Sequence, residues 1–315
     1  MTEKDKKIIF FGSPVFAIPA LKALYQEGFN LISVITQPPK RQGRRQIFTP
    51  TAVEQLARQF NLPVELGLNF EKIKQSRPNL GVVVAYGKLI SQKILEVFTD
   101  GCLNIHPSLL PKYRGPAPIQ AAILNGDAET GVCLIKLDKQ MDHGPIIKNL
   151  KLKIENNDTY LDLAERLAKL AADLLIESLP DYLAGKITPI PQNDDSATYT
   201  KLLTRADGKI DWKMPAKMIE KQIRAFQPWP GCFAWLRQKS GKIIKIKIIT
   251  AQVKESATKH KNTPGTVIFN NHNLEISCGQ GGLLIDKLQV EGKKNISVTE
   301  FLSGYREQID CFIVS

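Results

Sequence analysis

Apolar and polar positions alternate in blocks along the first half of the chain. Residues 7–11 (KIIFF) and 31–36 (LISVIT) are short, mainly apolar runs, 81–85 (GVVVA) is one without a polar face, and residues 52–60 form an amphipathic stretch between them. Runs apolar on both sides predict strands of a parallel sheet covered by helices. Gly12-Ser13-Pro14 offers a turn, an N-cap and a proline at the first helical position, so a helix is expected directly after the first strand. A further strand is expected at 101–105. Residues 160–179 place Leu163, Leu167, Leu170 and Leu174 on one helical face, with Thr159 and Asp162 set as a capping box, which predicts a packing helix.

The pattern then changes. Residues 189–205 are dense in Pro, Asn, Asp and Ser without periodicity and read as a linker. Beyond it, 243–250, 265–269, 273–277 and 282–290 are short strands punctuated by glycine, preceded by one helix at 215–226. The predicted fold class is therefore α/β: a Rossmann-like domain with a mostly parallel sheet over residues 1–188, a linker over 189–205, and a small OB-like β-barrel of about five strands over 206–315. The chain's 315 residues agree with two domains, since single cores stop growing near this length.

Charge sharpens the division. The chain carries a formal +12, and the part from 206 onward holds 17 basic against 10 acidic residues, a net of +7, while the longer remainder holds 26 against 21. The putting-together of positive charge on the barrel points to an anionic partner. The five cysteines, Cys102, Cys133, Cys232, Cys278 and Cys311, are widely spaced and form no C-x-x-C pair, so they read as buried thiols and no metal is expected. The start MTEKDKK lacks the apolar core of a secretory signal, and no run approaches the roughly 18 apolar residues of a membrane span, so a soluble cytoplasmic protein is expected.

The segment GCLNIHPSLLPKYRGPAPI at 101–119 carries the candidate chemistry. Asn104 and His106 are two apart, so a continuing strand presents both on one face, just where open α/β sheets place ligands. An amide can donate to an oxyanion that grows on an attacked carbonyl, and an imidazole can donate likewise or move a proton. Downstream, KQMDHGPIIK supplies Asp142, a carboxylate able to orient the imidazole or take a proton from an amine. Taken alone, the Asn-x-His pair reads more simply as a turn cap and a satisfied loop histidine, and Asp142 as a turn residue.

Together, N-x-H-x-S-L-L-P, then R-G, then M-D-x-G resemble the folate-dependent formyltransferase family. The resemblance implies Asn104, His106 and Asp142 as the catalytic group and 10-formyltetrahydrofolate as formyl donor, with no tightly bound cofactor. It also implies that Val84, Ala85, Tyr86 and Gly87, with Ser108, Leu109, Leu110 and Pro111, line the folate pocket. Residues 10–21, 34–57 and 197–236 resemble the members that act on initiator methionyl-tRNA, a resemblance that spans nearly the whole chain. It implies a monomer, with the basic loop Lys40, Arg41, Arg44 and Arg45 contacting the tRNA. Here Pro39 and Arg41 depart from the family pattern, as do Pro116 and Cys133. Trp229, Asp211 and Trp212 read as structural aromatics and their neighbour, and Arg224 as an RNA contact or an ion-pair partner.

Three other readings are weighed. A formyltransferase acting on a nucleotide-linked amino sugar accounts for the N-terminal half. A non-catalytic RNA-binding barrel protein leaves Asn104, His106 and Asp142 unexplained. A nicotinamide dehydrogenase lacks its G-x-G-x-x-G, since the first strand is followed only by Gly12.

Overall fold

The computed structural model describes residues 2–42, 47–254, 263–270 and 273–314. Its contacts divide the chain into two units. The first comprises Met1–Pro118, Ala128–Ile154 and Leu163–Lys201; the second comprises Ile119–Asp127, Glu155–Asp162 and Leu202–Ser315.

In the first stretch of chain, strands β1 (Ile8–Gly12), β2 (Leu31–Thr36), β3 (Lys40–Gln42), β4 (Ile47–Thr49), β5 (Val64–Leu66), β6 (Leu80–Val84), β7 (Gly101–His106), β8 (Glu129–Lys136) and β9 (Ile146–Lys153) alternate with helices α1 (Ile18–Gln26), α2 (Ala52–Gln59), α3 (Phe70–Ser76), α4 (Gln92–Leu95), α5 (Pro118–Asn125) and α6 (Tyr160–Leu183). Seven strands form one sheet in the order β5-β2-β1-β6-β7-β8-β9. The pairings from β5 to β7 are parallel, and β7–β8 and β8–β9 are antiparallel. Strands β1 and β6 are buried at every position, as their unbroken apolar composition predicts. Phe11 meets Tyr86 and Phe98 edge to face, with centroids 5.9 and 6.0 Å away, contacts worth about 0.5–1.5 kcal/mol each beyond burial.

Local details depart from expectation. Pro14 precedes a 3-10 turn, Val15–Ala17, and α1 begins only at Ile18. Ser13 does not cap that helix; its hydroxyl donates to the Tyr86 carbonyl at 3.3 Å. Strand β6 stops at Val84 because Ala85 turns to φ 47°, which ends the extended run. The basic segment is no plain loop: Lys40 and Arg41 lie on β3, which forms an antiparallel hairpin with β4. Arg44 and Arg45 lie outside the described residues. Strands β8 and β9 were not anticipated as such. The capping box at Thr159 and Asp162 is present, the Thr159 amide donating to the carboxylate at 3.0 Å.

The second unit holds β10 (Cys232–Gln238), β11 (Ile243–Lys254), β12 (Val267–Asn270), β13 (Asn273–Ser277), β14 (Gly282–Val290), β15 (Asn295–Ser297) and β16 (Ile309–Val314), with α7 (Ala216–Ala225) and α8 (Val298–Tyr305). The order β12-β13-β14-β11-β10-β16 is antiparallel throughout, and its end strands β12 and β16 approach each other, so the sheet is nearly closed into the expected barrel. The alternating burial of β10 sends Cys232, Ala234 and Leu236 inward and leaves Phe233 and Trp235 partly exposed. Trp212 is buried as a structural aromatic, whereas Trp229 is 48% exposed and is not a core residue. Arg224 forms a bidentate pair with Glu220 and donates to the Asp158 carbonyl at 2.9 Å. Among the described residues no helix is long and apolar enough to cross a membrane.

Candidate active site

Strand β7 lies where the sheet changes from parallel to antiparallel pairing, and its last residues carry the candidate chemistry. Asn104 and His106 project from the same face, as two-residue spacing on a strand requires, and both reach one carboxylate. Asn104 Nδ2 donates to Asp142 Oδ1 at 3.4 Å, and His106 Nδ1 lies 3.5 Å from Asp142 Oδ2. Both separations are long for hydrogen bonds, a common state of catalytic groups that tighten around substrate. The juxtaposition that sequence left as conjecture is thus present in the fold.

The histidine is 4% exposed and its proton is placed by a carbonyl. His106 Nε2 lies 2.9 Å from the Tyr113 carbonyl oxygen, which can only accept, so Nε2 carries the hydrogen. A neutral ring then turns its bare Nδ1 towards a carboxylate oxygen. Two acceptors facing each other form a receptor for one proton, and any donor inserted between them is held by both.

Asp142 reaches this position through an unusual backbone. Its φ is 51°, a left-handed conformation that costs a non-glycine residue about 1–2 kcal/mol and that aspartate tolerates better than most. The Gly115 amide donates to its Oδ2 at 2.8 Å, a charge-assisted bond of about 1.5–3 kcal/mol that offsets the strain. Gly115 itself has φ 108°, open only to glycine, which explains the R-G pair in the sequence. Gly144 is required for a different reason: a Cβ there would stand 1.8 Å from the Lys136 carbonyl oxygen at the end of β8.

Around these groups lies a polar frame that sequence reasoning missed. The Arg114 guanidinium is buried and donates to Gln192 Oε1 from two nitrogens, at 3.0 and 2.9 Å, and to Asp194 Oδ1 at 2.7 Å. Gln192 Nε2 donates to the Asp142 and Gly144 carbonyls, both at 2.8 Å. Thr198 and Thr200 accept from the amides of Tyr113 and Ala117 at 2.9 and 3.1 Å. His143 lies 2.6 Å from Asp138 and 3.4 Å from Asp194. The hydrogen bond to Asp138 raises the His143 pKa above its ordinary value, and the Arg114 hydrogen bond holds Asp194 below its own. Arg114 gave a signal as part of the R-G pattern, and His143, Thr198 and Thr200 lay in segments that carry the resemblance but without a role; Gln192 and Asp194 were hidden in composition that reads as a linker.

The expected folate-lining residues fall into two groups. Ala85 and Gly87 are exposed, while Val84 and Tyr86 are buried, so of these four Ala85 and Gly87 are the ones open to a ligand. The Tyr86 carbonyl accepts from Gln37 Nε2 at 2.9 Å, which fixes the loop after β6. In the loop after β7, Ser108 is fully buried and donates to the Lys112 carbonyl at 2.6 Å. Leu110 is buried beside Cys133 and Ile135, its amide 3.3 Å from Cys133 Sγ, while Leu109 and Pro111 remain partly exposed. Burial pushes the Cys133 thiol up to about 12, so it is a packing group and no nucleophile near neutral pH. Lys40 and Arg41 are exposed on the hairpin, with the Arg41 guanidinium 5.2 Å from the Phe48 ring centroid.

Comparison with known proteins bears on this arrangement. The family model described as formyl transferase matches residues 6–179, and that of the formyl transferase C-terminal domain matches residues 202–306. The methionyl-tRNA formyltransferase of Caldanaerobacter subterraneus is 38% identical over 306 residues, covering 95% of this chain and 97% of that protein. That of Enterococcus faecalis is 37% identical, covering 96% and 97%. Among solved structures, an N-formyltransferase from Helicobacter canadensis in complex with folinic acid and dTDP-3-aminofucose superposes with a TM-score of 0.67 at 21% identity, covering 89% of this chain and 98% of that one, a likeness of fold.

Proposed function

Because the chain belongs to the methionyl-tRNA formyltransferase family, we propose that it transfers the formyl group of 10-formyltetrahydrofolate to the α-amino group of initiator methionyl-tRNA, with Asn104, His106 and Asp142 as its chemical centre. The observation that carries the reading is the convergence of Asn104 and His106 on the one carboxylate of Asp142, at the end of β7. The likeness to a sugar N-formyltransferase is one of fold, whereas the tRNA-formylating relatives match along the whole chain at nearly twice its identity.

The amino nitrogen attacks the formyl carbon, a nitrogen–carbon bond forms, and the formyl oxygen takes the negative charge. Asn104 Nδ2 donates to that oxyanion, a contribution of about 3 kcal/mol in comparable sites. The proton released by the amine enters the receptor between His106 Nδ1 and Asp142. Because Tyr113 already occupies Nε2–H, His106 donates to the oxyanion only through Nδ1, once that nitrogen has received its proton. Collapse breaks the carbon–N10 bond of the folate, and N10 leaves as an amine after taking the proton held between His106 and Asp142. An aminoacyl α-amino group of pKa near or below about 7.7 needs only modest help to become the free base near neutral pH, so positioning outweighs base strength.

Residues 1–188 carry the chemistry and residues 206–315 contact the tRNA. The barrel's outward face supports that role: Lys209 stands over the Trp235 ring at 5.5 Å and Lys245 over Phe233 at 4.0 Å, cations and aromatic rings interleaved as in single-strand nucleic-acid platforms. Lys40 and Arg41, on the β3–β4 hairpin, supply phosphate contacts, as do Arg44 and Arg45. Loop backbone at Ala85 and Gly87, with Leu109 and Pro111, borders the folate. The enzyme acts as a monomer in the cytoplasm, where initiator tRNA is charged and used.

The test combines purified protein, 10-formyltetrahydrofolate and charged methionyl-tRNA, and follows the formylated aminoacyl ester. Product is expected. Absence of product with tRNA, together with turnover of an amino-sugar nucleotide, would overturn the acceptor.

A further inference from the structure

The carboxylate of Asp142 is held from two directions, and one side chain joins them. Its Oδ2 is bound by the Gly115 amide, and Gly115 follows the buried Arg114. Its main chain belongs to a turn pressed against β8 at Gly144. Gln192 connects the two. Its Oε1 accepts from Arg114 Nε and Nη2, while its Nε2 donates to the carbonyls of Asp142 and Gly144. A guanidinium only donates and a carbonyl only accepts, so the orientation of the amide is fixed by its partners. Both of its hydrogens and its oxygen are in use.

We infer that Gln192 is a positioning residue for formyl transfer, an amide clamp that sets the Asp142 carboxylate against Asn104 and His106 by tying the left-handed turn to Arg114. The inference rests on the proposed role of that trio. The Gln192 amide bonds to backbone carbonyls and to Arg114, and so acts on the backbone that aims one of the three side chains. No other side-chain type of this length combines the acceptor that Arg114 needs with the two donors that the carbonyls need. Glutamate keeps the acceptor and removes both donors, leaving two carbonyl oxygens facing a carboxylate. The Asp142 turn then loses its tie while Arg114 keeps its partner.

The experiment compares Gln192→Glu, Gln192→Ala and Asn104→Ala with the parent enzyme, measuring kcat and KM for both substrates on protein shown to be folded by its melting transition. Gln192→Glu is expected to lose about 10²-fold in kcat with KM little changed, the effect of an ångström-scale misplacement. Gln192→Ala is expected to lose at least as much. If Gln192 only secures its own segment, Gln192→Glu melts earlier but turns over at the parent rate while Asn104→Ala is inactive, and the inference is overturned. Asn104→Ala at parental activity overturns the proposed trio instead. Hydrogen exchange at the Gly115 amide reads the clamp whatever the chemistry: it is expected to quicken in Gln192→Glu, and unchanged protection there overturns the clamp.

Discussion

The Gly115 amide donates to Asp142 Oδ2 at 2.8 Å, and that same oxygen lies 3.5 Å from His106 Nδ1. A backbone hydrogen bond therefore holds the carboxylate in place without neutralising it, and leaves its other oxygen towards Asn104. Aspartate at 142 does two separable things: it tolerates a positive φ in the left-handed region and it supplies a carboxylate.

Substitution at 142 separates them. Asp142→Asn retains a side chain that suits positive φ and an oxygen for the Gly115 amide, so its melting temperature should stay near the parent's while kcat falls by about 10² or more. Asp142→Ala should lose both activity and about 1–2 kcal/mol of stability. Steady-state formylation and chemical denaturation of the two variants check this; an active Asp142→Asn would remove the carboxylate from the chemistry.

In the proposed reaction, Asn104→Ala removes an amide donor to the developing oxyanion. Turnover should drop by about 10²–10³-fold, with binding of methionyl-tRNA retained, as measured by single-turnover rates and filter binding. Equal losses of rate and binding would assign the asparagine to structure.

The His143 cluster makes stability depend on pH with a defined sign. His143 is raised above its ordinary 6.5, chiefly by Asp138, so its charged form is favoured in the folded protein. The stabilisation is fully present below about pH 6.5 and is lost as pH rises through the raised value. Asp194, lowered chiefly by Arg114, acts at the other end: its contribution holds above the ordinary 3.8 and disappears as pH falls through the lowered value. His143→Ala should flatten the decline in melting temperature as pH rises above about 6.5; an unchanged decline would discount the cluster.

Cys133 and Cys232 are buried and pushed up to about 12 by that burial, with Cys102 and Cys278 raised in the same way. In native buffer near pH 8 these four thiols should resist iodoacetamide, and unfolding in guanidinium should open them, with peptide mass mapping as the readout. Rapid native alkylation of Cys133 would show that the Leu110 loop opens on its own.

Neutralising Lys40 and Arg41 together should weaken tRNA binding and reduce the slope of log K against log salt by about 1–2, leaving the rate at saturating tRNA nearly unchanged. A constant slope would exclude both from phosphate contact.

The parts of this molecule legible in the sequence were those whose signal is local. Strands such as β1 and β6 announce themselves by unbroken apolar runs, and Asn104 and His106 by spacing on one strand. The pairing of Asp142 with them was not legible, because 36 residues separate it from His106 and an Asp before a Gly usually marks a turn. Gln192 was less legible still. A polar residue in Pro- and Asp-rich chain looks solvated, and only the folded path brings its amide between Arg114 and two carbonyls. The hairpin of β3 and β4 escaped for the opposite reason: its strands are three residues each, and their charge outweighed any alternation.

The placement of both Asn104 and His106 on β7 makes this a region intolerant of changes in length. Side chains on a strand change faces with each added residue, so a single insertion upstream within 101–103 would swing both groups to the opposite layer at once. An exchange along β7 alters one side chain at a time, whereas an added residue displaces both groups together. Variation in length is open instead at turns such as the one at Gly241, between β10 and β11, where an added Cβ would meet nothing within 4 Å.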